Sequence, residues 1–166
     1  MTSSVSRCFP PVVSEGTQLI ILGSLPGEMS LARQQYYGHP KNQFWRLTAQ
    51  LVGADLPDLD YAARLERLIA CGIGLWDVVA SAVRPGSLDQ HMREITPNAL
   101  LSLMSSLPHL KAVAFNGAAA SRIGRRQIEN QVPLTLVDLP SSSPANTLSY
   151  EAKAEAWRRL MPFLVV

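Results

Sequence analysis

Apolar residues along the chain follow two alternating patterns: short continuous runs, and stripes that recur every three or four positions. Residues 17–23 (TQLIILG) form a leucine and isoleucine run closed by glycine, which predicts a buried strand leading into a turn. In residues 42–52, Phe44, Trp45, Leu47, Leu51 and Val52 make the stripe of a helix packed on one side. Residues 61–70 repeat that stripe through Leu65, Leu68 and Ile69, and Gly72 stands where a helix stop belongs. A second strand is expected over 73–79. Thr96 and Pro97 offer a capping residue and a first-turn proline for a helix over 96–107. Residues 110–115 (LKAVAF) read as a third strand, and the small residues at 118–121 let a helix lie close against a sheet. Residues 132–139 read as a fourth strand, which Pro133 confines to an edge or makes begin late. A final amphipathic helix is expected over about 150–164, with Ala156, Trp157, Leu160, Met161 and Leu164 on one side.

Strands alternating with helices imply parallel pairing through right-handed crossovers. The expected fold is therefore a three-layer α/β/α domain around a central, mostly parallel four-stranded sheet. At 166 residues and 47% hydrophobic composition, one domain over 1–166 is expected, with 1–16 as an irregular N-terminal segment. Fifteen Lys and Arg against 13 Asp and Glu leave +2, too small an excess to demand a nucleic-acid partner by itself. Cys8 and Cys71 are too few for a four-thiolate metal site and suggest a reducing compartment. The expectation is a cytoplasmic protein with no metal and no cofactor. The first eleven residues lack the pattern of a secretory signal, and no apolar run approaches the roughly 20 residues that span a bilayer. No membrane role is expected.

Ligands of open parallel sheets bind beyond the carboxyl ends of the strands, so the residues following each run carry the chemistry. The first run leads into Gly23-Ser24-Leu25-Pro26-Gly27 and then Gln34-Gln35-Tyr36-Tyr37-Gly38-His39-Pro40-Lys41-Asn42. The others lead into Trp76-Asp77, Asn116-Gly117 and Pro140-Ser141-Ser142-Ser143-Pro144, and all four tips can face one cleft. The first tract lacks the Gly-Lys-Ser/Thr of a P-loop and the third glycine of a dinucleotide site. Ser24 directly follows Gly23, which also excludes a Gly-x-Ser-x-Gly elbow. A tight turn with exposed N–H groups beside an aromatic pair suits a flat ligand.

Gly-x-x-Pro-Gly followed by Tyr37-Gly38-His39-Pro40-Lys41-Asn42-Gln43-Phe44-Trp45 resembles the uracil-DNA glycosylase superfamily, and in this motif its mismatch-specific branch. With Gln-Gln-Tyr-Tyr and with Leu139-Pro140-Ser141-Ser142-Ser143-Pro144-Ala145-Asn146, the chain is similar to the hypoxanthine-DNA glycosylase branch, also called DNA-deoxyinosine glycosylase. The resemblance implies base excision repair: a deaminated base is flipped out of DNA and water cleaves its N-glycosidic bond. Hypoxanthine is the expected base; uracil or a mismatch is the alternative. Many superfamily members carry Asp or Asn before the first proline and His or Asn before the second Pro-Ser, where this chain has Leu25 and Leu139.

On that resemblance Asn42 is the catalytic residue. Gly23, Ser24, Leu25, Pro26, Gly27, Tyr37, His39 and Asn116 bind the base, and Ser141, Ser142 and Ser143 bind DNA phosphates. No lysine stands in a recognisable nucleophile motif, which implies a monofunctional enzyme, and a monomer is expected. Read from the residues alone, Asn42 also suits a helix cap, His39 a turn, and Asp77 a turn or cap hydrogen bond. Lys41 and Arg84 lie near the expected cleft loops and could attract DNA. A non-catalytic lesion-binding module and a hydrolase of free nucleosides remain the competing classes.

Overall fold

The computed structural model describes residues 4–165. Four parallel strands make the central sheet: β2 (Leu19–Gly23), β3 (Ile73–Asp77), β6 (Ala112–Asn116) and β7 (Thr135–Leu139), in the order β3-β2-β6-β7. The alternation of β2 sorts the core. Leu19 and Ile21 face one layer with Phe44, Trp45, Leu47 and Trp157, while Ile20 and Leu22 face the other with Val79, Leu100, Phe115 and Ile123. Helices α2 (Phe44–Val52), α3 (Tyr61–Ala70) and α6 (Tyr150–Trp157) supply the first layer. Helices α4 (Leu100–Ser105) and α5 (Ala118–Ile128) supply the second. The expected three-layer α/β architecture is what the chain adopts.

A second sheet departs from expectation. β1 (Val5–Arg7), β4 (Val79–Val83) and β5 (Arg93–Pro97) pair antiparallel in the order β1-β4-β5. Part of the segment expected to be irregular is therefore a strand; residues 1–3 of it lie outside the described residues. The run expected over 73–79 divides at Val78, whose N–H donates to the Gly23 carbonyl (2.8 Å) as the chain passes from one sheet into the other.

The helix expected over 96–107 begins later, because Thr96 and Pro97 belong to β5. Pairing with β4 outweighs the local capping signal, and α4 is tied at its start by Leu100 N–H donating to Gln127 Oε1 (3.2 Å). β7 begins after Pro133 and lies at the sheet edge. The last helix turns into a 3-10 segment at Arg158–Phe163, where Pro162 can neither donate its N–H nor accommodate the α-helical carbonyl four residues back. A short helix, α1 (Glu28–Arg33), occupies the first loop tract. Among the described residues no helix is long and apolar enough to cross a membrane.

α5 packs tightly on the sheet at Gly124, where an added Cβ would stand 2.5 Å from Phe115 Cε1 and 3.0 Å from Val78 Cγ1. Phe115 and Val78 are fully buried and have nowhere to retreat. Gly124→Ala should therefore lower unfolding stability by about 1–3 kcal/mol, read by urea denaturation, despite the better helix propensity of alanine.

Candidate active site

The carboxyl ends of the four parallel strands open into one cleft of about 150 Å³. That is smaller than the roughly 300–1,000 Å³ of sites that hold whole drug-sized ligands, and suits a single flat ring system. The Gly23–Gly27 turn, Tyr37, His39, Asn42, Asp77, Asn116 and Ser141–Ser143 all line it, so segments distant in sequence are brought together as expected. Ser87 and Asp89, from the loop after β4, line it too. Nothing in the sequence marked them, because that loop reaches the cleft only through the antiparallel sheet.

The Gly23–Gly27 turn is clamped from behind. Arg84, with its side chain 1% exposed, donates to the Leu25 and Pro26 carbonyls and to Asp89 Oδ1 (3.0 Å). Ser24 Oγ donates to Asp89 Oδ2 (2.7 Å), closing the clamp. Arg84, expected to attract DNA, is therefore an internal strut, and its charge is already matched. Because a trans peptide points N–H and C=O in opposite directions, the Gly27 N–H is turned away from Arg84. Glu28 N–H is taken by Ser87 Oγ (3.0 Å).

Tyr37 adopts a left-handed φ of 54°, and its ring stacks on Phe44 at 3.8 Å with planes 13° apart. Its hydroxyl accepts from Asn116 Nδ2 (3.3 Å), and burial with Asp77 nearby pushes the phenol well above its ordinary pKa. Asn116 is fully engaged: Nδ2 also donates to Ser142 Oγ (2.9 Å), and Oδ1 accepts from Ser142 N–H (2.9 Å). His39 Nδ1 accepts from Lys41 N–H (3.0 Å), a turn-forming bond. Asn42 is not the helix cap, which is Gln43; its Oδ1 accepts from Phe44 N–H (3.0 Å) in an Asx turn just before the helix. Its Nδ2 donates no hydrogen bond among the described residues, which leaves an amide donor at the cleft wall.

The serine loop is held from within. Ser142 is 1% exposed and its carbonyl accepts from Gln43 N–H (3.0 Å). Ser141 Oγ accepts from Ser143 N–H and Ser143 Oγ from Ala145 N–H, so both hydroxyl protons remain to be donated outward. Gly117, at φ 101°, allows the loop to approach, since a Cβ there would lie 3.0 Å from Ser141 Cβ. Beneath it, buried Lys153 donates to the Ser143 and Asn146 carbonyls (3.2 and 3.0 Å), and Trp157 Nε1 donates to the Pro140 carbonyl (3.1 Å). Lys153 turns inward from α6 beside Ala154 and Trp157, whereas Met161, expected on the packed side, is half exposed; burial lowers the pKa of the Lys153 ammonium.

A family model described as the Uracil DNA glycosylase superfamily matches residues 10–161. The chain belongs to that superfamily. A Methanosarcina barkeri protein named Hypoxanthine DNA glycosylase is 40% identical over 90% of this chain and 93% of its own. A Methanosarcina acetivorans protein of the same name is 37% identical over 92% of this chain and 96% of its own. The solution NMR structure of a proposed uracil DNA glycosylase from Methanosarcina acetivorans superposes with a TM-score of 0.85 at 35% identity, covering 95% of this chain and 97% of that one. The superfamily's polar positions before the two prolines are leucines here, and both are buried: Leu25 is 6% exposed and Leu139 4%. Among the described residues, no group of three or more His, Cys, Asp or Glu is placed to hold a metal ion.

Asp77, at the tip of β3, is 4% exposed, and its Oδ2 is buried without a hydrogen-bond partner. Burial, reinforced by Asp89 and opposed by Arg84, pushes its carboxyl up to about 7. The folded protein thus keeps a proton that the unfolded chain releases near its ordinary value of 3.8, and stability falls as pH rises from about 4 through about 7. Asp77→Asn removes that penalty. Its unfolding free energy, read by urea denaturation, should match wild type near pH 4 and exceed it at pH 8 by on the order of 1 kcal/mol or more.

Proposed function

We propose that this member of the superfamily excises hypoxanthine from DNA as a monofunctional, monomeric, cytoplasmic enzyme, with hydrolysis carried out in the cleft at the strand tips. The observation that carries the reading is a base-sized cleft with the unspent amide of Asn42 on its wall and leucines where polar groups usually stand. The two relatives named Hypoxanthine DNA glycosylase support the choice of base.

A flipped purine stacks against the Tyr37 and Gly23–Gly27 walls at about 1–3 kcal/mol per base, and the turn's backbone N–H groups meet its electron-rich edge. Asn42 Nδ2 holds the attacking water or the leaving base without adding a charge that burial would penalise. The sugar develops oxocarbenium character, and the neighbouring phosphates of the DNA offset its positive charge. Ser141 and Ser143 donate their free hydroxyl protons to those phosphates. The inward-turned Ser142 supports the loop from inside.

A duplex carrying one deoxyinosine tests the reading. Wild type should yield abasic product, and Asn42→Ala should cut the single-turnover rate by about a hundredfold or more, the scale of losing one catalytic hydrogen-bond donor. Product from uracil duplexes alone would replace hypoxanthine by uracil. Tight lesion binding without product would make the protein a binding module, and turnover of free inosine a nucleoside hydrolase. Replacing both Ser141 and Ser143 by alanine should weaken duplex binding by about tenfold or more, equally for deoxyinosine and undamaged DNA, read by fluorescence anisotropy.

A further inference from the structure

The cleft poses an electrostatic problem for any base that leaves as an anion. Among the described residues no lysine or arginine lines it, and Arg84 beside it is spent on Asp89 and two carbonyls. Three carboxyl groups, Glu28, Asp77 and Asp89, do line it, so negative charge accumulating on a departing purine would be repelled. Supplying a proton removes that charge as it forms.

Among the titratable groups of the cleft, Asp77 is the buried acid with an unpartnered oxygen. Asp89 is paired with Arg84 and accepts from Ser24. His39 is bonded to the Lys41 N–H through Nδ1, and Glu28 is exposed. Tyr36 donates to the Pro10 carbonyl (2.8 Å); Tyr37 accepts from Asn116 and keeps its own proton, but burial holds that phenol far above neutrality. Asp77 is buried at the cleft with Oδ2 unpartnered. Its Oδ1 stands 2.6 Å from where a Cβ on Gly23 would be, and the Tyr37 hydroxyl 3.0 Å from the same point. The glycine thus lets a carboxyl and a phenol converge over the strand tip.

We propose that the Asp77 carboxyl is the acid that hands a proton to N7 of the departing purine while the bond from N9 to C1′ breaks. This rests on the reading of the chain as a hypoxanthine DNA glycosylase. The electron pair of the C1′–N9 bond passes into the purine ring, the Asp77 proton moves to N7, and the oxygen of water bonds C1′. The proton shed by that water restores Asp77 through solvent, so one water is consumed and neutral hypoxanthine and an abasic sugar are formed. The groups facing Asp77 set when it is loaded: Asp89 raises its affinity for a proton and Arg84 lowers it, while Tyr36, Tyr37, Ser24 and Asn116 around it are uncharged at neutral pH. Burial holds the balance near neutrality, where an acid is both populated and able to give its proton away.

The test is single-turnover cleavage of a deoxyinosine duplex from pH 5.5 to 9, with wild type, Asp77→Asn, and a duplex carrying 7-deaza-deoxyinosine, in which N7 is replaced by carbon. The wild-type rate should be level at low pH and fall about tenfold per unit above the titration of Asp77, while Asp77→Asn should lose about a hundredfold at pH 6 together with the pH slope. Affinity of that variant for a duplex with non-cleavable 2′-fluoro-deoxyinosine should hold, and the gap between the two proteins should close on the 7-deaza substrate. A wild-type rate flat across the range overturns the proposal, as does a variant that keeps the wild-type slope or an undiminished gap on 7-deaza-deoxyinosine. If the variant fails to fold, the wild-type profile and the 7-deaza substrate decide. No deoxyinosine cleavage at any pH would instead defeat the functional reading itself, and the acid with it.

Discussion

The side chain of Asn116 is the interaction on which the cleft depends. It stands at the tip of a central strand and makes three hydrogen bonds, one to the Tyr37 hydroxyl and a reciprocal pair with Ser142. Those bonds join the loop after α1 to the loop after β7 across the end of the sheet. Parallel strands guarantee only that their carboxyl ends lie on the same side. Closing the loops over that side requires a donor and acceptor between them, and a neutral amide provides both without burying a charge. Gly117 gives the serine loop room to arrive, and Lys153 and Trp157 hold it from beneath.

Polar positions that the superfamily often uses have become part of the core. Leu25 packs with Ile20, Leu22 and Phe115 on one side of the sheet, and Leu139 with Phe44 and Trp157 on the other. The polarity of the cleft is concentrated instead in Asn42, in the backbone of the Gly23–Gly27 turn and in Asp77. Arg84, which by sequence position belongs among cations available to DNA, holds the turn in shape. A cleft lined by no lysine or arginine among the described residues suits a leaving group that departs neutral better than one that departs charged.

Much of this organisation was legible in the residues. The run before Gly23 is strand-length and closed by glycine, and the stripe of 61–70 recurs at the helical period, so length and punctuation decide the first and periodicity the second. The antiparallel sheet was not legible. β5 is exposed at every position and so carries no alternation, and Thr96-Pro97 offers a cap that pairing with β4 overrides. At the site, Gly23, Tyr37 and Asn42 were recognisable from tracts of chain. The engagement of Asn116, the inward turn of Ser142 and the support from Lys153 depend on partners 79, 26 and 10 residues away. Spacing within a motif carries no record of such bonds.

Chemical-shift mapping of the labelled protein with a non-cleavable 2′-fluoro-deoxyinosine duplex tests most directly whether the strand tips form one base-binding cleft. The expected result is a joint set of lesion-dependent shifts at Gly23–Gly27, Tyr37, Asn42, Asp77 and Ser141–Ser143, absent with an undamaged duplex of the same sequence. Shifts that ignore the lesion, or that map to another face while these residues stay still, would contradict it.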